Sequence, residues 1–172
     1  NPLIKLITGP RRVGKSVFAL LMLQGRNFAY LNFDDSQLLE KWDEDLVMSA
    51  LDDVYPGYDF MLLDEVQNLP DWDLWIGKLY RRGKNLVITG SNAKMLSRDI
   101  ETVLGGRYLS VNVFPYSFSE YLTAVGVNIA GGWQYGRKAN ELQRHFRTYF
   151  DWGGFPELVN FREKRIWLNS LY

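Results

Sequence analysis

The chain has 172 residues, 47% of them apolar and 15% aromatic, which is enough for one buried core and a small appendage. Its 20 basic and 20 acidic residues balance, which excludes a global field that attracts nucleic acid or an anionic membrane. The absence of cysteine excludes disulfides and thiolate metal sites and fits a reducing cytoplasm. No apolar run approaches the ~20 residues of a membrane helix, and no signal-peptide pattern is present. We therefore expect a cytoplasmic protein without membrane contact.

Apolar segments alternate with segments of helical spacing along the first two thirds of the chain. The predicted strands are 3–8, 27–33, 58–65, 85–90 and 107–114. The predicted helices between them are 14–24, 36–51 and 71–83. The run at 58–63 is apolar on both faces, which is typical of a parallel strand covered by helices. The alternation predicts an α/β core with a mainly parallel sheet and right-handed crossovers.

The character of the chain changes after Pro115. Two helical segments, 117–125 and 138–150, are joined by a glycine-rich loop. We therefore divide the chain into an α/β core at 1–114 and a small, lid-like helical region at 115–172. This region mixes seven basic and five acidic residues with many aromatic ones. So slight an excess of basic residues favours core packing of the aromatic rings over a nucleic-acid surface. Because the last segment stops within an amphipathic pattern, we expect further domains outside this chain.

The stretch TGPRRVGKS at 8–16 fits the phosphate-loop pattern G-x-x-x-x-G-K-[ST], between a predicted strand and a predicted helix. Glycines allow the backbone to curl, so that successive N–H groups point at phosphate oxygens. Lys15 can reach the β- and γ-phosphates, and Ser16 can place a hydroxyl on Mg²⁺. The alternative is an ordinary turn with a coincidental lysine. The candidate nucleotide-binding residues are Gly9, Pro10, Arg11, Arg12, Val13, Gly14, Lys15, Ser16 and Val17.

An acidic pair ends the apolar run at 58–63. If the loop binds a nucleoside triphosphate, Asp64 can hold Mg²⁺ together with Ser16. Glu65 can orient the attacking water or accept its proton. The alternative is that both acids are solvated or cap the next helix. Gln67 follows closely enough to touch the water or the γ-phosphate, but it can equally begin a helix.

A third polar strand end follows residue 88, where the sequence reads TGSN. Thr89, Ser91 and Asn92 should reach the same edge of the sheet, because ligands of open α/β sheets lie at the carboxyl ends of the strands. Ser91 and Asn92 are candidate sensors of the γ-phosphate or the water. Turn chemistry alone is the alternative for these residues.

The segments TGPRRVGKS, MLLDEVQNLPDW, VITGSNAKML, LGGRYLSVNVFPYSFSEYL and GGFPE, taken together, resemble the AAA+ class of P-loop ATPases. The resemblance is closest to bacterial and archaeal predicted AAA+ ATPases that carry a C-terminal domain of unknown function. It covers about residues 4–157. DEVQNLPDW and FPYSFSEYL, in this order, are far more specific than the phosphate loop alone.

The resemblance implies several features that periodicity does not show. The strand at 85–90 would lie between the phosphate-loop strand and the strand that ends at Asp64. Lys15 and Ser16 would bind ATP and Mg²⁺, Asp64 would serve the metal, and Glu65 would be the catalytic acid. Arg107 falls where such proteins place an arginine finger, which usually acts on a neighbouring subunit and so implies a homo-oligomer. A second sensor arginine has no clear counterpart after residue 115.

Three functions compete at this stage. The leading one is hydrolysis of MgATP, coupled to conformational change in domains outside the chain. The second is a scaffold gated by nucleotide with negligible turnover, against which the presence of Glu65 argues. The third, a small-molecule kinase, is less favoured because an acid directly after the strand suits water as the acceptor. The guanine motif N-K-x-D is absent, which favours ATP over GTP. Protein or nucleic-acid partners are not identified by the sequence.

Overall fold

The structure, a computed structural model, describes residues 2–91, 105–128, 137–161 and 164–169. Two compact units divide the chain. The first comprises Asn1–Pro10 with Gly14–Val113, and the second comprises Arg11–Val13 with Phe114–Tyr172. The sequence-predicted sensor Asn92 lies outside the described residues. None of the helices in the described ranges is long and apolar enough to cross a membrane.

A parallel sheet of five strands forms the centre of the first unit. The strands are Ile4–Thr8 (β1), Phe28–Asn32 (β2), Phe60–Asp64 (β3), Leu86–Gly90 (β4) and Tyr108–Asn112 (β5). Their order across the sheet is β2-β3-β4-β1-β5. The fold class is confirmed, and so is the expected position of β4 between β1 and β3.

Helices occupy the connections and most of the second unit. Those of the first unit are Lys15–Met22 (α1), Ser36–Glu40 (α2), Glu44–Val54 (α3) and Trp72–Arg81 (α4), with a 3₁₀ turn at Val66–Asn68. Those described in the second unit are Phe118–Ala124 (α5), Arg137–Trp152 (α6), Pro156–Asn160 (α7) and Lys164–Asn169 (α8).

Alternating side chains of the strands pack on the two faces of the sheet. On one face Leu6, Leu63 and Ile88 join the side chains of α3 and α4 in one buried cluster. On the other face Ile7, Leu62 and Val87 pack with Ala19 and Leu23 of the α1 segment. This two-sided cover is why the strands read as continuous apolar runs rather than as alternating ones.

One predicted helix is wrong in detail. The segment at 36–51 forms two helices, α2 and α3, rather than one. Asp43 begins α3 because its side chain accepts a hydrogen bond from the backbone N–H of Leu46. Between the helices, the ring of Trp42 packs edge-on against that of Trp75 with centroids 5.0 Å apart, and it lies tilted 5.6 Å from the ring of Phe33. The packing of the Trp42 indole and the N-cap at Asp43 interrupt the single helix that local propensity predicted. Asp35 begins α2 in the same way, because its side chain accepts a hydrogen bond from the backbone N–H of Gln37.

Aromatic side chains pack together in the second unit. The ring of Phe118 contacts those of Tyr121, Phe146 and Tyr149. The GGFPE stretch approaches the FPY stretch through backbone contact, since the N–H of Tyr116 donates to the carbonyl of Gly154 at 2.7 Å. A Cβ atom at Gly154 would lie 2.0 Å from the carbonyl oxygen of Tyr116. This close approach explains why glycine is needed there.

Candidate functional site

The strand order brings three polar segments to one edge of the first unit. Adjacent strands β1, β4 and β3 end at Thr8, Gly90 and Asp64, and the phosphate-loop pattern follows β1 directly. Because the strands are parallel, their carboxyl ends lie together. The loop, the acidic pair and the TGS segment therefore meet along this edge, as the sequence predicted.

The loop after β1 turns through left-handed backbone conformations. The φ angles are +149° at Gly9, +64° at Arg12 and +91° at Gly14, the residue before α1. A side chain at Gly14 would meet no atom within 4 Å, so glycine is needed there for its dihedral angle rather than for space. The loop leads into α1 at Gly14, which makes no side-chain cap hydrogen bond. The first N–H groups of a helix have no partner within the helix, and such a terminus suits an anion.

Lys15 is buried at the start of α1, with 3% of its side chain exposed. Its Nζ lies 3.0 Å from Oε1 of Glu65 and donates to the carbonyl of Pro10 at 3.1 Å. The lysine and the glutamate thus form a largely buried ion pair across the edge of the sheet. Such a pair is stable only when further hydrogen bonds compensate the loss of water around the two charges.

Asp64, also buried, accepts hydrogen bonds from three hydroxyl groups. Ser16 Oγ donates to Oδ1 at 2.8 Å, Thr89 Oγ1 donates to the same oxygen, and Tyr30 Oη donates to Oδ2 at 3.1 Å. Burial first, and then the charge of Asp64, raise the pKa of Tyr30 to about 12, so its phenol remains a donor at neutral pH. Ser16 and Asp64 present hard oxygen atoms at one point, which is the donor chemistry that Mg²⁺ prefers.

Glu65 turns away from the strand that carries it. Its backbone is left-handed, with φ at +52°, and its N–H donates to Thr89 Oγ1 at 2.9 Å. Its Oε2 accepts from Nε2 of Gln67 at 2.6 Å, and Ser91 also donates to its carboxylate. Burial by itself would raise the pKa of Glu65, but the bonds from Gln67, Lys15 and Ser91 together lower it. The carboxylate is therefore held ionised and in one orientation.

Gln67 lies in the 3₁₀ turn after the acidic pair and bridges two strand ends. Its Nε2 donates to Glu65 and, at 3.2 Å, to Ser91 Oγ. Its Oε1 is buried and receives no hydrogen bond from the described residues. Leaving a buried acceptor unpaired costs about 1–3 kcal/mol. The amide keeps this orientation because the reverse one would place Oε1 against the carboxylate of Glu65.

The remaining candidates occupy varied positions. Val13 is buried, whereas Arg11 and Val17 are exposed. Arg107 is exposed at the start of β5, and its carbonyl accepts from the N–H of Ile4. The five residues of β5 separate it from the carboxyl edge by roughly 15 Å at ~3.3 Å per residue. The structure therefore does not bring Arg107 to the site of its own chain.

Sequence reasoning missed three contacts in this cluster. Tyr30 was not considered, because a tyrosine within a β-prone segment reads as core. Thr89 was treated as a contact for ligand, but its hydroxyl bonds Asp64 and the N–H of Glu65. Gln67 was left open between the water and a helix start. The sequence pointed to these contacts only through the prediction that the three strand ends lie side by side.

We expect Thr89→Val to lower the free energy of unfolding of the first unit by about 1–3 kcal/mol, although the two side chains have the same shape. The substitution removes a donor to Asp64 and the acceptor of the Glu65 N–H, and Thr89 is fully buried. Urea unfolding measures the loss. Ser49→Ala, at an exposed position on α3 of the same unit, serves as control and should change stability by less than about 0.5 kcal/mol. Equal losses in the two variants would contradict the bridging role of Thr89.

The sequence was compared with known proteins. The family model described as an AAA domain matches residues 1–122. An uncharacterized protein of Methanocaldococcus jannaschii is 33% identical over 169 residues, which are 95% of this chain and 38% of that protein. An uncharacterized protein of Haemophilus influenzae is 33% identical over 173 aligned residues, covering 91% of this chain and 40% of that protein. The chain thus spans about two fifths of the length of these relatives. Its phosphate loop, five-stranded parallel sheet and matched sequence place the chain in the AAA domain family of P-loop proteins.

Proposed function

We propose that this domain binds MgATP and hydrolyses its β–γ bond with water. One observation carries the proposal: Lys15 and Ser16 of the phosphate loop each contact one member of the acidic pair. The distances are 3.0 Å from Lys15 to Glu65 and 2.8 Å from Ser16 to Asp64. The groups suited to phosphate, metal and water therefore lie within one hydrogen-bonded cluster.

Binding of the triphosphate rests on the loop and on Lys15. The left-handed turns at Arg12 and Gly14 allow consecutive backbone N–H groups to face an anion, and α1 adds the positive end of its dipole. The ammonium of Lys15 exchanges its contact with Glu65 for one with a phosphate oxygen. Because the lysine is buried, it has little side-chain freedom left to lose when this exchange takes place.

Ser16 and Asp64 are the residues that would hold magnesium. Their oxygen atoms are adjacent, and Thr89 and Tyr30 keep the carboxylate of Asp64 oriented. The described ranges contain no group of three or more histidine, cysteine or acidic side chains that could hold a metal ion by themselves. Phosphate and water oxygens would complete the coordination shell, as is usual for this ion. The bound ion supplies positive charge to the phosphate oxygens.

Glu65 is the residue that we assign to the attacking water. As a carboxylate that is ionised at neutral pH, Glu65 can accept a hydrogen bond from water and then its proton. In the structure its charge is matched by that of Lys15 at 3.0 Å. When phosphate draws the ammonium away, this carboxylate loses its cationic partner and becomes the available base. The same exchange therefore links binding to chemistry.

The longer length of the relatives supports coupling to parts outside this chain. About three fifths of each relative lies beyond the matched segment. We infer that the whole protein carries a further domain, in keeping with the C-terminal domain of unknown function that the resemblance implies. Hydrolysis in the AAA domain would drive conformational change in that domain.

Arg107 acts on a neighbouring subunit in this proposal. It is exposed, and it lies at the opposite edge of the sheet from the acidic pair of its own chain. A guanidinium there can reach a phosphoryl group only when it is presented to another copy. The protein would therefore hydrolyse ATP as a homo-oligomer, with the arginine stabilising charge on the transferred group.

A nucleotide-gated scaffold is the second candidate. The closed pair of Lys15 and Glu65 favours it, because this contact makes the lysine available to phosphate only after a local rearrangement. Such a protein would use the rearrangement as its signal, and turnover would be negligible. The variants below separate the two functions.

For Lys15→Ala we expect at least about a tenfold loss of MgATP affinity, because the ammonium that meets the phosphates is removed. Isothermal titration calorimetry on the full-length protein measures the affinity. Lys41→Ala, at an exposed lysine that follows α2, is the matched control and should bind as the parent does. Identical heats for Lys15→Ala and the parent would remove the phosphate loop from binding.

For Glu65→Gln we expect single-turnover hydrolysis to slow by about 100-fold or more, since the amide cannot accept a proton. MgATP affinity should remain within about threefold of that of the parent, because the phosphate contacts are kept. Glu40→Gln, at the exposed end of α2, provides the control for loss of one negative charge. An unchanged rate would take Glu65 out of the chemistry, and absence of turnover in the parent would favour the scaffold.

For Arg107→Ala we expect turnover per subunit to fall on the order of 10³-fold while binding of MgATP is kept. The parent rate per subunit should rise with protein concentration as the oligomer assembles. Mixing Arg107→Ala with Lys15→Ala subunits should restore part of the activity, since some sites then receive both intact residues. Arg26→Ala, an exposed arginine before β2, is the control. A parent rate that is independent of concentration, without restoration on mixing, would refute action in trans.

A further inference from the structure

The carboxylate of Glu65 is held by three side chains among the described residues. Lys15 contacts Oε1 at 3.0 Å, Gln67 donates to Oε2 at 2.6 Å, and Ser91 also donates to the carboxylate. The bond from Gln67 is shorter than the contact from Lys15. A carboxylate held on both oxygens has one orientation, which a base must have in order to meet a water molecule.

These donors differ in what nucleotide does to them. On the function proposed above, phosphate draws Lys15 away from Oε1. Gln67 and Ser91 carry no charge and gain nothing comparable from phosphate, so their contacts remain. Once nucleotide is bound, the orientation of Glu65 therefore depends on Oε2 and on the amide that donates to it.

The backbone holds Gln67 rigidly in place for this task. The 3₁₀ turn that carries it is closed by bonds from Asn68 N to the carbonyl of Glu65 at 3.1 Å and from Leu69 N to the carbonyl of Val66 at 3.0 Å. Val66 and Leu69 are buried beneath it. Asn68 ties the same turn to the loop after β2 through a 2.8 Å bond to Asp34.

The orientation of the amide also indicates that Glu65 is its main partner. Nε2 donates to both Glu65 and Ser91, whereas Oε1 is buried without a donor from the described residues. An amide without a preferred partner would adopt the orientation in which both its nitrogen and its oxygen form hydrogen bonds. Gln67 leaves its acceptor unpaired, which means that the bond to the carboxylate outweighs that loss.

We propose that Gln67 is the positioning residue of Glu65: it keeps the carboxylate oriented toward the attacking water after nucleotide has claimed Lys15. Ser91, the residue after β4, also contacts the carboxylate of Glu65. The end of the strand next to the acidic pair therefore takes part in orienting this carboxylate. Gln67 acts through Glu65 and needs no contact with the reacting atoms.

Gln67→Met tests this role, because methionine fills a similar volume and has no donor for Glu65. We expect kcat for MgATP hydrolysis by the full-length protein to fall roughly 10- to 100-fold, with KM and calorimetric nucleotide affinity within about threefold of the parent. Gln37→Met, the same change at an exposed position of α2, is the matched control and should leave kcat unchanged. A parent-like kcat for Gln67→Met, or a loss that appears in KM alone, overturns the inference.

A double-mutant cycle with Glu65→Gln distinguishes positioning from an independent effect. If Gln67 acts through Glu65, adding Gln67→Met to Glu65→Gln should slow single-turnover hydrolysis by less than about threefold. Losses that multiply overturn the inference. Gln67→Glu gives a second measurement should methionine perturb folding. It places a carboxylate against Glu65 and should lower kcat at least as much, and a parent-like kcat for it would overturn the inference.

The result for the parent separates this inference from the function on which it rests. If the parent does not turn over MgATP, the hydrolytic function fails, and the positioning role in hydrolysis fails with it. If the parent turns over and Glu65→Gln is slow but Gln67→Met is not, only the inference about Gln67 fails.

Discussion

A buried ammonium facing a nearly buried carboxylate is the constraint around which this edge of the sheet is organised. Lys15 and Glu65, with 3% and 13% of their side chains exposed, lie 3.0 Å apart. Two charges taken out of water destabilise a fold unless hydrogen bonds compensate each of them. The carbonyl of Pro10 accepts a hydrogen bond from the lysine, and Gln67 and Ser91 donate hydrogen bonds to the glutamate. The hydrogen bonds that compensate this one ion pair therefore connect the loop, the 3₁₀ turn and the end of β4.

Strand order makes that arrangement possible. β4 lies between the strand that leads into the loop and the strand that ends in the acidic pair. Thr89, the residue before the last of β4, bonds Asp64 with its hydroxyl and accepts from the N–H of Glu65. Sites built on strands with apolar cover on both faces are positioned more precisely than sites on loops. The apolar core and the polar edge are thus two consequences of one topology.

Much of this could be predicted from sequence, because strong local patterns fix the elements. The strands begin and end within two residues of their predicted bounds, since each apolar run stops at a polar or glycine residue. The phosphate loop and the acidic pair were identified from their spacing. The orientations of the side chains in the site could not be predicted from sequence. The left-handed turn at Glu65, the phenol of Tyr30 and the amide of Gln67 depend on neighbours that are distant in sequence. The break at Trp42 was missed for the same reason, because an indole packed edge-on against Trp75 outweighs helix propensity.

Two adjacent carboxylates acquire opposite electrostatic environments through this geometry. Among the described residues, the side chains that donate to Asp64 are the neutral hydroxyls of Ser16, Thr89 and Tyr30. They orient its negative charge without neutralising it, so the aspartate remains attractive to a cation. Glu65 turns the other way, and its charge is matched by that of Lys15. In the proposed function, a phosphate that recruits Lys15 would remove that match and leave Glu65 as an oriented base. Neutral donors at one acid and a transferable cation at its neighbour would then give the two residues different roles.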